Sequence, residues 1–193
     1  MPRVIGGRTL RGDLRELAPW LCTTLALWAA VVAVRHTRVA AAPQVPAWEH
    51  SFLELSQADQ LRYRLVREGV LEAENRRSGS RDWPEPSVLA GEGVPPFDAP
   101  DLRWSRRQHG IYVNYLGVPL TGQGTRWLLL FIEPEPTAFE AKAPPPVDEE
   151  HHTLPDGTAL HVTVWTTASQ GPEPTEVLAF PVSEGWVQRV GRL

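Results

Sequence analysis

Eighteen consecutive residues without a charge, Leu17 to Val34 (LAPWLCTTLALWAAVVAV), divide this chain into two parts suited to different solvents. A helix needs about 20 apolar residues to cross the hydrocarbon core, with a usable range near 17–25. Arg15 and Arg35 flank the run and can snorkel outward to lengthen it, and Trp20 lies near one end, where interfacial aromatics belong. Pro19 falls in the first turn, where its missing N–H costs nothing. A buried core helix would carry a polar face, and this stretch offers only Cys22, Thr23 and Thr24. Arg35 and Arg38 separate the run from Ala40-Ala41-Ala42, an arrangement that disfavours cleavage as a signal peptide. The expectation is a retained span in contact with the lipid bilayer through Leu17 to Val34.

Lys and Arg placement orients the span. Arg3, Arg8, Arg11 and Arg15 precede it, against Arg35 and Arg38 behind it, so residues 1–16 read as a cytoplasmic tail. Residues 35–47 follow as a linker, stiffened by Pro43 and Pro46. Residues 48–193 read as one outer domain; in a bacterial inner membrane that domain is periplasmic. Residues 40–193 hold 13 of 19 basic and 21 of 23 acidic side chains, a net charge near −8. Such a surface repels nucleic acid and anionic lipid and tolerates cations. Cys22, the one cysteine, lies in the span, so the outer domain must be held by its core and not by disulfides.

The outer domain reads as α+β. Ser51 followed by Glu54 predicts a capping box for a long amphipathic helix over 51–77, with Leu55, Ala58, Leu61, Leu65 and Glu72 on one face. Phe52, Val66, Val70 and Ala73 widen that face, and Gly69 is its weak point, costing about 1 kcal/mol against alanine. Residues 78–108 are turn-rich, and prolines at 84, 86, 95, 96 and 100 argue against regular helix. Ile111 to Leu116 and Trp127 to Ile132 predict an antiparallel strand pair. Pro134 to Pro146 is a second proline-rich break. A hairpin follows from Glu149 to Thr166, turned at Pro155-Asp156-Gly157, and Trp186 to Val190 predicts a last strand. The expected sheet is small and antiparallel.

The hairpin holds the one constellation with metal-ligand chemistry. Asp148-Glu149-Glu150-His151-His152 runs into one strand and His161 lies in the other. A three-residue loop sets His151 opposite His161; a two-residue loop sets His152 there instead. Opposed residues have Cβ atoms about 4.5–5.5 Å apart, within reach of one shared ion. His151, His152, His161, Glu149 and Glu150 therefore form a candidate set for Zn²⁺ or a neighbouring transition metal. The plain alternative for the same residues is a solvated surface. No enzyme motif emerges: Gly122-x-Gly124 lacks the strand–helix context of a phosphate loop, and Ser105 and His109 have no third partner.

The segment Glu92-Gly93-Val94-Pro95-Pro96-Phe97 is followed by Trp104, Tyr115-Leu116-Gly117, the Trp127–Ile132 strand and Val162-Thr163-Val164-Trp165. In these features and their order the chain resembles an uncharacterised family of single-span proteobacterial membrane proteins often encoded beside metal-ion ABC transporters. The resemblance implies a non-catalytic periplasmic accessory to divalent-metal uptake, with the transporter as partner. It supplies no catalytic residues. The competing expectation is a bitopic scaffold that binds no ion and packs Phe52, Val66 and Val70 against partner proteins.

Overall fold

The computed structural model describes residues 20, 22–32, 46–134, 148–168 and 171–191. The chain forms two compact units, Met1–Val45 and Pro46–Leu193. In the first, Trp20 and residues 22–32 are helical (α1), and Trp28, Leu25 and Val31 stand exposed. Among the described residues no helix is long and apolar enough to cross a membrane. Both ends of the expected Leu17–Val34 span lie outside the described residues, as do the expected tail, residues 35–45 of the linker and most of the second proline-rich break.

The second unit is α+β, with helices against a seven-stranded mixed sheet. Its elements are β1 (Glu49–Ser51), α2 (Gln57–Ser80), α3 (Pro86–Gly91), β2 (Leu102–His109), β3 (Tyr112–Pro119), β4 (Arg126–Ile132), β5 (His151–Thr153), β6 (Ala159–Thr167) and β7 (Val187–Val190). The sheet runs β1-β7-β6-β4-β3-β2, with β5 on β6 as well. β1 lies parallel to β7, which makes the sheet mixed and not the wholly antiparallel one expected. The expected β3–β4 pair is present and antiparallel.

The helix begins one turn later than the capping-box reading places it. Ser51 caps a short 3₁₀ turn at Phe52–Glu54, and Ser56 is the true N-cap. Its Oγ accepts from the Asp59 N–H at 3.2 Å and donates to Asp59 Oδ2 at 2.9 Å. The buried face is also rotated from the expected one. Tyr63, Val66, Val70, Ala73 and Glu74 face the sheet, while Leu61 is 58% exposed. Val66 and Val70 are fully buried, and Phe52 stacks on Tyr63 with ring centroids 4.8 Å apart. Val66 and Val70 thus hold the helix to its own sheet, each buried valine contributing about 1.5–3 kcal/mol.

Two elements appear inside the region read as turns. α3 forms because Pro86 occupies its first turn, where proline is tolerated, so the prolines do not exclude helix there. β2 is polar (LRWSRRQH) because it is an edge strand. Its Trp104 nevertheless packs on the core and donates Nε1–H to Pro96 O at 3.1 Å.

Both sheet faces are covered. Under α2 and α3 lie Trp83, Tyr115, Trp127, Leu129, Phe131, Leu160, Val162 and Val164. On the opposite face, Leu116, Leu128, Leu130 and Trp165 pack under Leu178 and Trp186. Asn114, buried in β3, pins this covering segment: its amide donates to Leu178 O at 3.2 Å and accepts from Leu178 N–H at 2.6 Å. Burial on both faces explains why β3 and β4 read as continuous apolar runs.

Candidate functional site

The β5–β6 turn sets the geometry of the histidine hairpin. Leu154 N–H donates to Thr158 O at 2.9 Å, and Gly157 N–H to Leu154 O at 2.8 Å. Gly157 supplies the positive φ (88°) that this loop requires, and Asp156 Oδ1 accepts from Thr158 N–H at 2.9 Å. The loop therefore has three residues, and His151 pairs with His161, the first of the two registers considered. The two rings stack, with centroids 4.9 Å apart and planes 8° from parallel.

Strand alternation then separates the candidate residues. His152 pairs with Leu160, a core residue of the α2 face, and meets the helix itself. Its Nδ1 lies 2.5 Å from Glu74 Oε1 and its Nε2 lies 3.2 Å from Glu149 O. Glu149 turns to the chain's end, where Oε2 accepts from Gly191 N–H at 2.9 Å; its carbonyl accepts from Arg67 at 2.9 Å. So His151, His161 and Glu150 come together, and His152 and Glu149 are engaged elsewhere.

Carboxylates flank both stacked rings. Asp148 Oδ1 lies 2.9 Å from His151 Nδ1, and the same oxygen accepts from the backbone N–H groups of Glu150 (2.8 Å) and His151 (2.9 Å). Burial opposes its charged form, but the hydrogen bonds from the Glu150 N–H and the His151 ring and N–H outweigh it and bring the Asp148 pKa down to about 2. The clamp is therefore complete above the ordinary carboxylate range and is lost only as pH falls toward 2. Glu150 Oε1 accepts from Gln188 Nε2 on β7 at 3.1 Å, while Oε2 lies 3.5 Å from His161 Nε2.

That last separation is chemically informative. His161 Nε2 is shielded from solvent and has no hydrogen-bond partner. Glu150 Oε2 stands 3.5 Å from it, an ion-pair distance that is not a hydrogen bond. Two ligands of one tetrahedral Zn²⁺, each bound at about 2.0–2.2 Å, lie about 3.3–3.5 Å apart. Among the described residues, no group of three or more His, Cys, Asp or Glu side chains is arranged to hold a metal ion. The arrangement thus offers two ligand atoms at a suitable spacing and a second imidazole stacked beside them.

Sequence reasoning missed two participants and the role of a third, Asp148. Asp148 stands three residues before His151, a spacing that an Asx turn could have signalled. Glu74 and Gln188 are distant in sequence, and only the packing of α2 and β7 brings them to the hairpin.

An α+β unit with a carboxylate-flanked histidine hairpin at its sheet edge is the class that fold and site define. The chain belongs to a family of unknown function (DUF6162), whose profile matches residues 50–192. No curated protein and no solved structure matches the chain.

Proposed function

We propose that this chain is a membrane-anchored, non-catalytic accessory that takes up and releases a divalent cation such as zinc at the β5–β6 hairpin, on the periplasmic side of a bacterial inner membrane and beside a metal ABC transporter. The observation that carries the reading is the stacked His151–His161 pair with Glu150 Oε2 set 3.5 Å from the shielded His161 Nε2. Imidazole and carboxylate together suit Zn²⁺ and its neighbours. A site with so few protein ligands leaves coordination positions open, which favours handing the ion on over keeping it. The uncharged run Leu17–Val34 and the basic residues ahead of it support the anchor and its orientation.

Calorimetric titration of the full-length chain in detergent with zinc is expected to give one binding event. The His151→Ala/His161→Ala double variant should lose it, and His152→Gln, which retains a donor for Glu74, should keep it. Equal heats from the wild type and the double variant would exclude the metal role. The anchor is tested separately. Washed membranes should retain the chain through carbonate extraction, and protease added to spheroplasts should digest residues beyond 46; release or protection would overturn the placement.

A further inference from the structure

The strand register gathers four exposed apolar side chains at one end of the sheet. Trp48 precedes β1, and its carbonyl accepts from Gln188 N–H at 2.9 Å, beside the start of β7. Phe180 and Val182 belong to the 3₁₀ turn at Pro181–Glu184 that leads into β7. Trp186 N–H holds that turn in place by donating to Pro181 O at 3.2 Å. Across the sheet, Val187 aligns with Thr166, Thr166 with Trp127, and Trp127 with Gly117. Leu120, just past the end of β3, therefore stands at this end too. Phe180 is 72% and Leu120 62% exposed, and Trp48 and Val182 are exposed as well. The histidine hairpin lies at the opposite end, where His161 aligns with Ile132 and Ile132 with Tyr112.

The chain also enters the unit at the apolar end. Pro46 O accepts from Glu49 N–H at 2.9 Å, which fixes the entry beside Trp48. Residues 35–45 separate Pro46 from the uncharged run, and at about 3.3–3.6 Å each they reach at most about 40 Å. A tether that short holds a surface at an effective concentration on the order of mM, so a weak contact suffices. Tryptophan is enriched where headgroups meet hydrocarbon. Charge selects the lipid. Glu184 is exposed on the same turn as Val182, and the outer domain is acidic, so anionic headgroups are not attracted. Headgroups without net charge meet no such repulsion.

We propose that Trp48, Leu120, Phe180 and Val182 form a second membrane contact, which seats the Pro46–Leu193 unit on a zwitterionic lipid surface. The inference rests on the anchored reading above and is independent of zinc. Shallow insertion of apolar side chains holds the unit down, without help from charge. In this pose the strands lead away from the bilayer, and His161 stands about 20 Å beyond Thr167 along β6.

The test reconstitutes the full-length chain in phosphatidylcholine vesicles. On a Cys22→Ser background, a fluorophore is attached to one new thiol at a time: Leu120→Cys or Val182→Cys, with Leu71→Cys and Val88→Cys on the exposed faces of α2 and α3 as controls. Lipid carrying a nitroxide about 5–10 Å into the interface is expected to quench the probes at 120 and 182 by about half and to spare the controls. Quenching should persist in about 1 M salt, where exposed charges are screened within about 3 Å. Phe180→Asp should relieve it at both positions, while the variant melts within a few degrees of its parent and still floats with the vesicles. Unquenched probes at 120 and 182 in chain that floats would overturn this proposal and leave the anchor standing. A probe response that requires several chains per vesicle would assign the surface to a second copy and overturn it equally. Chain that fails to float removes the anchor, and the docking falls with it.

Discussion

Replacing Glu133 with alanine is expected to lower the stability of the 46–193 unit by about 3–5 kcal/mol, the usual consequence of stripping one partner from a buried ion pair. Glu133 follows the end of β4, and its carboxylate is the meeting point of three donors. Arg77 Nε reaches Oε2 at 3.0 Å, Arg77 Nη2 reaches Oε1, and the Trp83 indole N–H reaches Oε2 at 2.6 Å. The side chains of Arg77 and Glu133 are only 15% and 11% exposed. Arg77 Nη1 is already buried without a partner, so the guanidinium has no reserve of hydrogen bonds. Removing the carboxylate strands a buried cation and an indole donor together. Glu133→Gln keeps an acceptor and should cost less than Glu133→Ala. Replacing both partners with leucine should also be milder than Glu133→Ala alone, since no unpaired charge remains. Urea unfolding of the four proteins checks the order. A loss under 1 kcal/mol for Glu133→Ala would mean that water reaches Arg77 freely.

Gly69→Ala is expected to destabilise the same unit by about 1–3 kcal/mol, the range for overpacking a filled interior. Helix propensity alone points the other way, toward a gain of about 1 kcal/mol. The packing decides the sign. A Cβ at position 69 would sit 2.5 Å from Pro95 O, 2.8 Å from Pro96 Cδ and 3.0 Å from Phe97 Cε2. The first of these is backbone and cannot rotate away. Phe97 is itself confined by Trp104 and Tyr115, with centroids 5.1 and 5.6 Å from its own. Glycine here lets α2 approach the 95–97 turn closely. Gly79, with nothing within 4 Å of an added Cβ, is the control site, where alanine should be neutral or stabilising. Chemical denaturation of both variants separates the two effects, and a more stable Gly69→Ala would show that the turn yields.

The contrast at Gly69 separates what local sequence encodes from what only packing decides. Periodicity and turn chemistry are local, so the long helix, the β3–β4 pair and the Asp156-Gly157 hairpin were all legible. Loop length and strand alternation narrowed the histidine register to two, and the three-residue loop of the structure selects His151 opposite His161. What failed was non-local. Whether Val66 and Val70 face a sheet or a partner depends on where strands from residues 102 to 190 lie, and no residue within the helix encodes that. β2 escaped notice because an edge strand has no need of an apolar alternation. His152 joined the metal set through the two-residue-loop register, but the loop has three residues and pairs it with Leu160. It belongs with Glu74 on the helix side. Asp148 was visible as one more acid, but its hydrogen bonds to two backbone N–H groups were not.

Strand β1 has a consequence for how the fold is reached. Among the described residues it pairs only with β7, joining Glu49 to Gln188 across about 140 residues of intervening chain, a contact of the kind that slows folding. During synthesis, which runs from the amino end, the first strand has no neighbour until the last one emerges, and β6 keeps an open flank beside Val164–Thr166 until then. The sheet therefore closes late, by insertion of its final strand between two that are already waiting. A chain cut short before Val187 would present a bare edge to any passing strand.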